Sequence, residues 1–447
     1  FAYLTVTGRN DWASTLPEEN NSFFYPSVSG SFVFSDVLPV PDWMSFGKLR
    51  ASWAEVGADT DPYELFLTYS LIGEHQGQPL GTISQIDVPN FDLVPTQTRE
   101  TELGLETQFF DDRIGLDISY YRRSTKNQIT SLGVPPTSGF HGRILNSGKV
   151  RNSGVEAMLT ATPVVSETLQ WDTRLNFAAN RSEIVTLAQE LRTDAVSRSA
   201  TVSIVQKVGE AVSTIYGTPY VRDDQGRIVH GENGLPLQGD QEVLGKGSPD
   251  WTLGFSNTVS FKNVYVNALI DVKWGGKMYS GTNRTAYAYG LHKNTLEGRA
   301  ECEGVKDPDT GYPGAGCFRP DGVTGHIETD DQGNREVVVD SSTTAQVLPG
   351  EYYGYISSAI AEQFIYDANY INLRQVRIGY ELPDAWVNRT PLQRVRASIV
   401  GRNLLYLHDS VPNVNPGAEY NSASTPGLEY ASVPQTRNFG FELRVTF

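Results

Sequence analysis

From Val264 to Trp274 the residues separate onto two faces by strict alternation. Val264, Val266, Ala268, Ile270, Val272 and Trp274 share one face, while Tyr265, Asn267, Leu269, Asp271 and Lys273 share the other. Only an extended strand, with its period of two, sorts side chains this way. The same pattern recurs in Ile114 to Tyr121, in Arg394 to Ile399 and in Asn438 to Phe447. Segments of roughly ten alternating residues are the signature of a strand that crosses a lipid bilayer at a tilt.

The connections sharpen this reading. Twelve segments have strand character, near 2–8, 25–36, 46–56, 97–110, 113–127, 148–163, 169–181, 250–262, 264–275, 366–382, 394–406 and 434–447. Short links at 111–112, 164–168, 262–263 and 383–393 alternate with long ones at 57–96, 184–249 and 276–365. A soluble sandwich has no reason to sort its loops by length, whereas outer-membrane barrels carry tight turns on one side and long extracellular loops on the other. The fold class expected is therefore all-β, a transmembrane antiparallel β-barrel. Aromatic residues near the strand ends, Trp43, Phe46, Phe109, Phe110, Trp171, Trp251, Phe261 and Trp274, suit the headgroup boundary. One strand breaks phase: Ile371 and Leu373 have one parity, Val376, Ile378 and Tyr380 the other, so a bulge is expected near Arg374 and Gln375.

No apolar run is long enough for a membrane-spanning helix. A formal net charge of −16 argues against a nucleic-acid partner, which requires a basic face. Enzymatic function is not expected: the six histidines are scattered, and neither His-Glu-x-x-His nor Gly-x-Ser-x-Gly occurs. Cys302 and Cys317, in a stretch rich in Gly, Pro and Asp, read as a loop-closing disulfide of an oxidising compartment. Asp307 and Asp309 resemble the opening of a calcium loop, although the remaining oxygen ligands are not at the required offsets. No other metal or cofactor is indicated. The long loop after Gly276 carries Tyr279, Tyr287, Tyr289, Tyr312, Tyr352, Tyr353 and Tyr355, candidates for contact with a partner or a substrate. The polar faces place Arg174, Asn176, Asp271, Lys273, Glu442 and Arg444 in the lumen.

Particular strings then stand out. Tyr3-Leu4-Thr5-Val6-Thr7-Gly8-Arg9-Asn10-Asp11-Trp12 is followed by Phe24-Tyr25-Pro26-Ser27-Val28-Ser29 and by Gly47-Lys48-Leu49-Arg50-Ala51-Ser52-Trp53. Further on come Arg99-Glu100-Thr101-Glu102-Leu103-Gly104-Leu105-Glu106, Asn146-Ser147-Gly148, Asn152-Ser153-Gly154-Val155-Glu156, Tyr370-Ile371-Asn372-Leu373-Arg374-Gln375-Val376 and Gly401-Arg402-Asn403-Leu404. In this order they resemble the SusC/RagA family of TonB-dependent outer-membrane transporters.

The resemblance implies a 22-stranded barrel, with residues 1–447 supplying the last 12 strands as the C-terminal part of one barrel, and with a plug and N-terminal domains lying outside this stretch. It implies an integral protein of the Gram-negative cell outer membrane. It also implies energised import of oligosaccharides or peptides, a SusD-like surface lipoprotein as lid, and a TonB complex reached through the N-terminal part. A passive channel and a structural platform in a surface assembly are the alternatives. Because lipid does not tolerate an open sheet edge, further strands are expected before Phe1.

Overall fold

A computed structural model describes residues 1–187, 193–199, 201–304, 316–333, 335–387, 391–418 and 426–447. Its frame is a sheet of twelve antiparallel strands in sequential up-and-down order, with the two-residue strand Asp87–Val88 added off that path, parallel to Gly142 and Arg143. The strands are β1 (Ala2–Trp12), β2 (Ser22–Val33), β3 (Met44–Ala58), β4 (Thr96–Phe109), β5 (Ile114–Gly133), β6 (Gly142–Val165), β7 (Leu169–Thr186), β8 (Trp251–Phe261), β9 (Val264–Trp274), β10 (Tyr370–Glu381), β11 (Arg394–Asp409) and β12 (Asn438–Thr446). All twelve segments expected from alternation are strands of this sheet. Among the described residues β1 pairs only with β2, and β12 only with β11.

Connections 34–43, 110–113, 166–168, 262–263 and 382–393 lie at one end of the sheet, and 13–21, 59–95, 134–141, 187–250, 275–369 and 410–437 at the other. The tight end turns through left-handed residues Phe110, Asp111, Asp112 and Lys262. Strands β5 and β6 run well past the expected boundaries and rise together above the rest of the wall.

Apolar residues of the wall point outward, with Leu4 74%, Phe441 71% and Ile399 65% exposed. Such a surface in water would be untenable; against acyl chains it is the stable arrangement. Two aromatic girdles bound it. Trp43 packs on Phe109 and Phe110 at ring distances of 5.5 and 6.3 Å, on the side of the tight turns. Trp251 stacks on Trp274 at 6.0 Å, on the side of the long loops. Trp53 lies ten residues beyond Trp43 along β3. At ~3.3 Å per residue and a tilt of ~40° that is a rise of about 25 Å, the height of the apolar band.

The phase break is a bulge. Leu269 pairs with Gln375 and Ile270 with Leu373, so Arg374 is the extra residue. Two wall glycines make room for a cross-strand side chain. A Cβ on Gly104 would stand 2.8 Å from Nε of Arg50, and one on Gly379 would sit 2.1 Å from the Tyr265 ring. Asn146 fastens loop 59–95 to the wall: its amide donates to the carbonyls of Val94 (2.8 Å) and Asn127 (2.9 Å), and its oxygen accepts from the Val94 N–H (3.0 Å).

The long connections expected at 184–249 and 276–365 carry structure of their own. They carry small sheets, such as Val202–Lys207 with Thr214–Gly217 and Val323–Thr329 with Arg335–Ser341. They also carry helices α1 (Gly281–Ala288) and α2 (Pro349–Ala359). Together they form a folded body around Ile204, Ile215, Phe318, Ile356, Ile360 and Phe364. Its elements are short and its apolar residues keep no period, so alternation could not reveal it.

Candidate functional site

Strand register assembles the inner face. Reading across β3 to β11, Lys48, Glu106, Asp117, Met158, Asn176, Gly254, Asp271, Asn372 and Tyr406 are successive cross-strand partners. The neighbouring row reads Arg50, Gly104, Ser119, Glu156, Ala178, Thr252, Lys273 and Tyr370. Arg50 on β3 and Asp271 on β9 line one recess, so this face is concave. Arg174, Asn176, Asp271, Lys273, Glu442 and Arg444 all share the parity of this face.

Charge on the belt is largely paired. Arg50 reaches over Gly104 to Asp117 at 2.5 Å and to Glu106 at 3.3 Å, and Lys48 also meets Glu106 at 3.3 Å. The bulge aims Arg374 at Asp271, 2.5 Å away, and the Tyr370 hydroxyl donates to the same carboxylate at 3.2 Å. Arg377 meets Glu442 at 3.1 Å. These half-exposed pairs each contribute on the order of 1 kcal/mol or less. Their larger effect is to hold long side chains in fixed poses above the lumen. Between them lies a recess of about 540 Å³ lined by Arg50, Asp117, Glu156, Asn176, Thr252 and Asp271. The recess is open at Gly254, where a Cβ would meet nothing within 4 Å. The arrangement can hydrogen-bond and ion-pair with whatever occupies the lumen. Asn176, Asp271, Lys273 and Glu442 were readable in sequence as inward polar positions; Arg50, Asp117 and Arg374, and the lateral alignment of all of them, required the register.

The tyrosine candidates divide differently from the expectation that they meet a partner or a substrate. Tyr279, Tyr287, Tyr352 and Tyr353 are buried members of the body's core, which removes their rings from contact with anything outside it. Tyr287 packs edge-on against Phe364 at 5.0 Å, and Tyr352 against Phe318 at 5.5 Å. Burial pushes the Tyr353 hydroxyl up to about 12, and those of Tyr287 and Tyr352 upward as well. Tyr355 is half-buried, and its hydroxyl accepts from the Gln238 amide at 2.8 Å. Tyr289 is 76% exposed and remains available. Tyr312, Asp307 and Asp309 lie outside the described residues. Cys302 and Cys317 are joined by a disulfide with Cα atoms 5.2 Å apart.

Two polar groups of the body escaped sequence reasoning. Glu429 is buried, where desolvation pushes its carboxyl up, yet hydrogen bonds from Thr282 (2.6 Å), Ser280 (2.7 Å) and Ser432 (2.7 Å) outweigh that and hold it below the usual range. It ties 426–432 to the start of α1. His230 is fully buried against the Tyr352 ring, and desolvation lowers its pKa. No local signal marks either residue, because their burial comes from segments distant in sequence.

The family model for the TonB dependent receptor-like β-barrel matches residues 3–296. The chain belongs to the TonB-dependent receptor β-barrel family. TonB-dependent receptor P3 of Formosa agariphila is 24% identical over 99% of this chain and 44% of its own length. TonB-dependent receptor SusC of Bacteroides thetaiotaomicron is 25% identical over 58% of this chain and 28% of its own length. The RagAB peptide transporter superposes on all of this chain and 46% of its own, with a TM-score of 0.69 and 17% identity. This receptor barrel thus spans less than half the length of the relatives it matches. Its membership makes the wall that of an integral outer-membrane protein of a Gram-negative bacterium, related to receptors and not to enzymes.

Proposed function

We propose that this receptor barrel is the wall of a TonB-driven importer of oligosaccharides or peptides, working with a SusD-like surface lipoprotein that closes over its mouth. The observation that carries the reading is the polar belt: a wall lined by fixed charged and amide groups around an open recess is built to hold an occupant, not to pass solutes freely. The folded body, with Tyr289 on its surface, offers a lid something firm to rest on. The relatives SusC and RagAB, one named as a TonB-dependent receptor and the other as a peptide transporter, support the same reading.

The test is recovery of the full-length protein from detergent-solubilised outer membranes, with mass spectrometry of its companions. A stoichiometric surface lipoprotein, together with uptake abolished by loss of TonB, is the expected result. Recovery alone with TonB-independent flux would identify a passive channel, and unrelated structural companions without uptake would identify a platform.

A further inference from the structure

On the outer face, the rows just above the long-loop girdle differ in charge from the rest of this acidic chain. Tyr120 ends the apolar band on β5. One residue pair higher, Trp53, Thr101, Arg122, Ser153 and Arg181 are successive partners across β3 to β7. Above them Arg99, Ser124, Arg151 and Glu183 form the next row, and then Gln97, Lys126, Lys149 and Thr186. Six basic side chains, Arg99, Arg122, Lys126, Lys149, Arg151 and Arg181, are thereby gathered at headgroup height.

Two acids face them: Glu55 holds Arg99 at 2.8 Å and Glu183 holds Arg151 at 3.4 Å. Arg122, Lys126, Lys149 and Arg181 have no ion-pair partner among the described residues. Lys126 and Lys149 stand directly opposite each other. Like charges in that position repel and weaken a strand pair, so their retention asks for an anion between them.

Directly below lies a groove of about 880 Å³ lined by Val28, Phe32, Leu49, Ala51, Leu103 and Tyr120. Gly30 and Ala51, cross-strand partners, leave room between the larger side chains of Phe32 and Tyr120. Apolar groove and basic cluster are continuous, on a face that already borders lipid. We infer that this patch over β3 to β7 binds a phosphorylated lipid of the outer leaflet, with an acyl chain in the groove and the phosphate between Arg122, Lys126, Lys149 and Arg181. An anionic headgroup relieves the lysine repulsion, and the attraction acts within a Debye length of the surface. Neither a soluble anion nor a protein edge would use both halves of the site.

The experiment uses the full-length protein in phosphatidylcholine nanodiscs doped with lipid A or with lipid A stripped of its phosphates, and counts retained lipid by native mass spectrometry. The expected result is retention of the phosphorylated form over the stripped form, reduced several-fold in Arg122→Gln/Lys126→Gln/Lys149→Gln/Arg181→Gln. A control removing as much charge elsewhere, Lys207→Gln/Lys262→Gln/Lys293→Gln/Arg437→Gln, keeps the wild-type retention. Equal retention of both lipids by the wild type, or by the patch variant and the wild type, overturns the inference. If the patch variant does not assemble, a salt titration of the wild type decides. Retention that falls with ionic strength supports the site, and salt-insensitive retention overturns it.

Discussion

The wall and the extracellular body solve opposite solvation problems with one chain. In the wall, Leu4, Ile399 and Phe441 face outward and the polar residues face in. In the body, Ile204, Ile360 and Phe364 are wholly buried. The wall's stability rests on lipid and on a continuous hydrogen-bond ladder, so no single side chain is a keystone. The body is held by one compact core, a disulfide and a few buried polar ties, so single residues count for more. The two regions should therefore fail independently.

The largest expected effect is in the body. Phe364→Ala removes a fully buried ring that meets Tyr287 and should cost about 3–5 kcal/mol. Hydrogen exchange should rise across the long connections while β1 to β12 keep their protection; loss of protection in the wall would break the comparison. Reducing the Cys302–Cys317 bridge, with a sequence separation of 15, should loosen the body by about 3 kcal/mol. Protease nicking confined to the 275–369 connection is the expected readout.

The complementary change is Ile270→Arg, on the outer face midway along β9. It should destabilise by about 2–4 kcal/mol in a bilayer, measured by refolding into vesicles. A silent Ile270→Arg beside a damaging Asp271→Leu would reverse the assignment of faces.

The smallest effect is a pH dependence confined to the body. Burial lowers the pKa of His230 in the folded state, and desolvation lowers that of His292 too. Below about 6.5 the unfolded chain then binds more protons than the folded one, so stability is full above that value and declines as the pH falls through it. Melting of the body, followed by near-ultraviolet dichroism between pH 7.5 and 5, should shift downward with acid. His230→Phe should flatten the curve, and an unchanged slope would remove His230 as its source.

The wall was legible because lipid imposes a period on it. Alternation located all twelve strands, and the parity change in Tyr370 to Leu382 located the bulge that the register places at Arg374. Boundaries slipped where β5 and β6 outgrow the bilayer, since beyond the apolar band nothing enforces the pattern. The body was illegible for a related reason. Tyr279 and Tyr353 are tyrosines in a long connection, and whether such a ring is core or contact surface depends on partners distant in sequence, such as Tyr287 and Phe318 for Tyr353. The polar belt lay between these cases, with Asn176, Asp271 and Lys273 readable as inward positions and the neighbours of each set by register.

The extra residue at Arg374 has a mechanical consequence. An unbroken ladder resembles a rack without a stop: any slip by two residues restores facing and nearly every bond. A strand carrying one displaced tooth meshes at a single offset, because elsewhere its mismatch would fall against an intact partner. Strand β10 is so keyed against β9. During insertion this joint would act as a datum from which the neighbouring strands take their alignment.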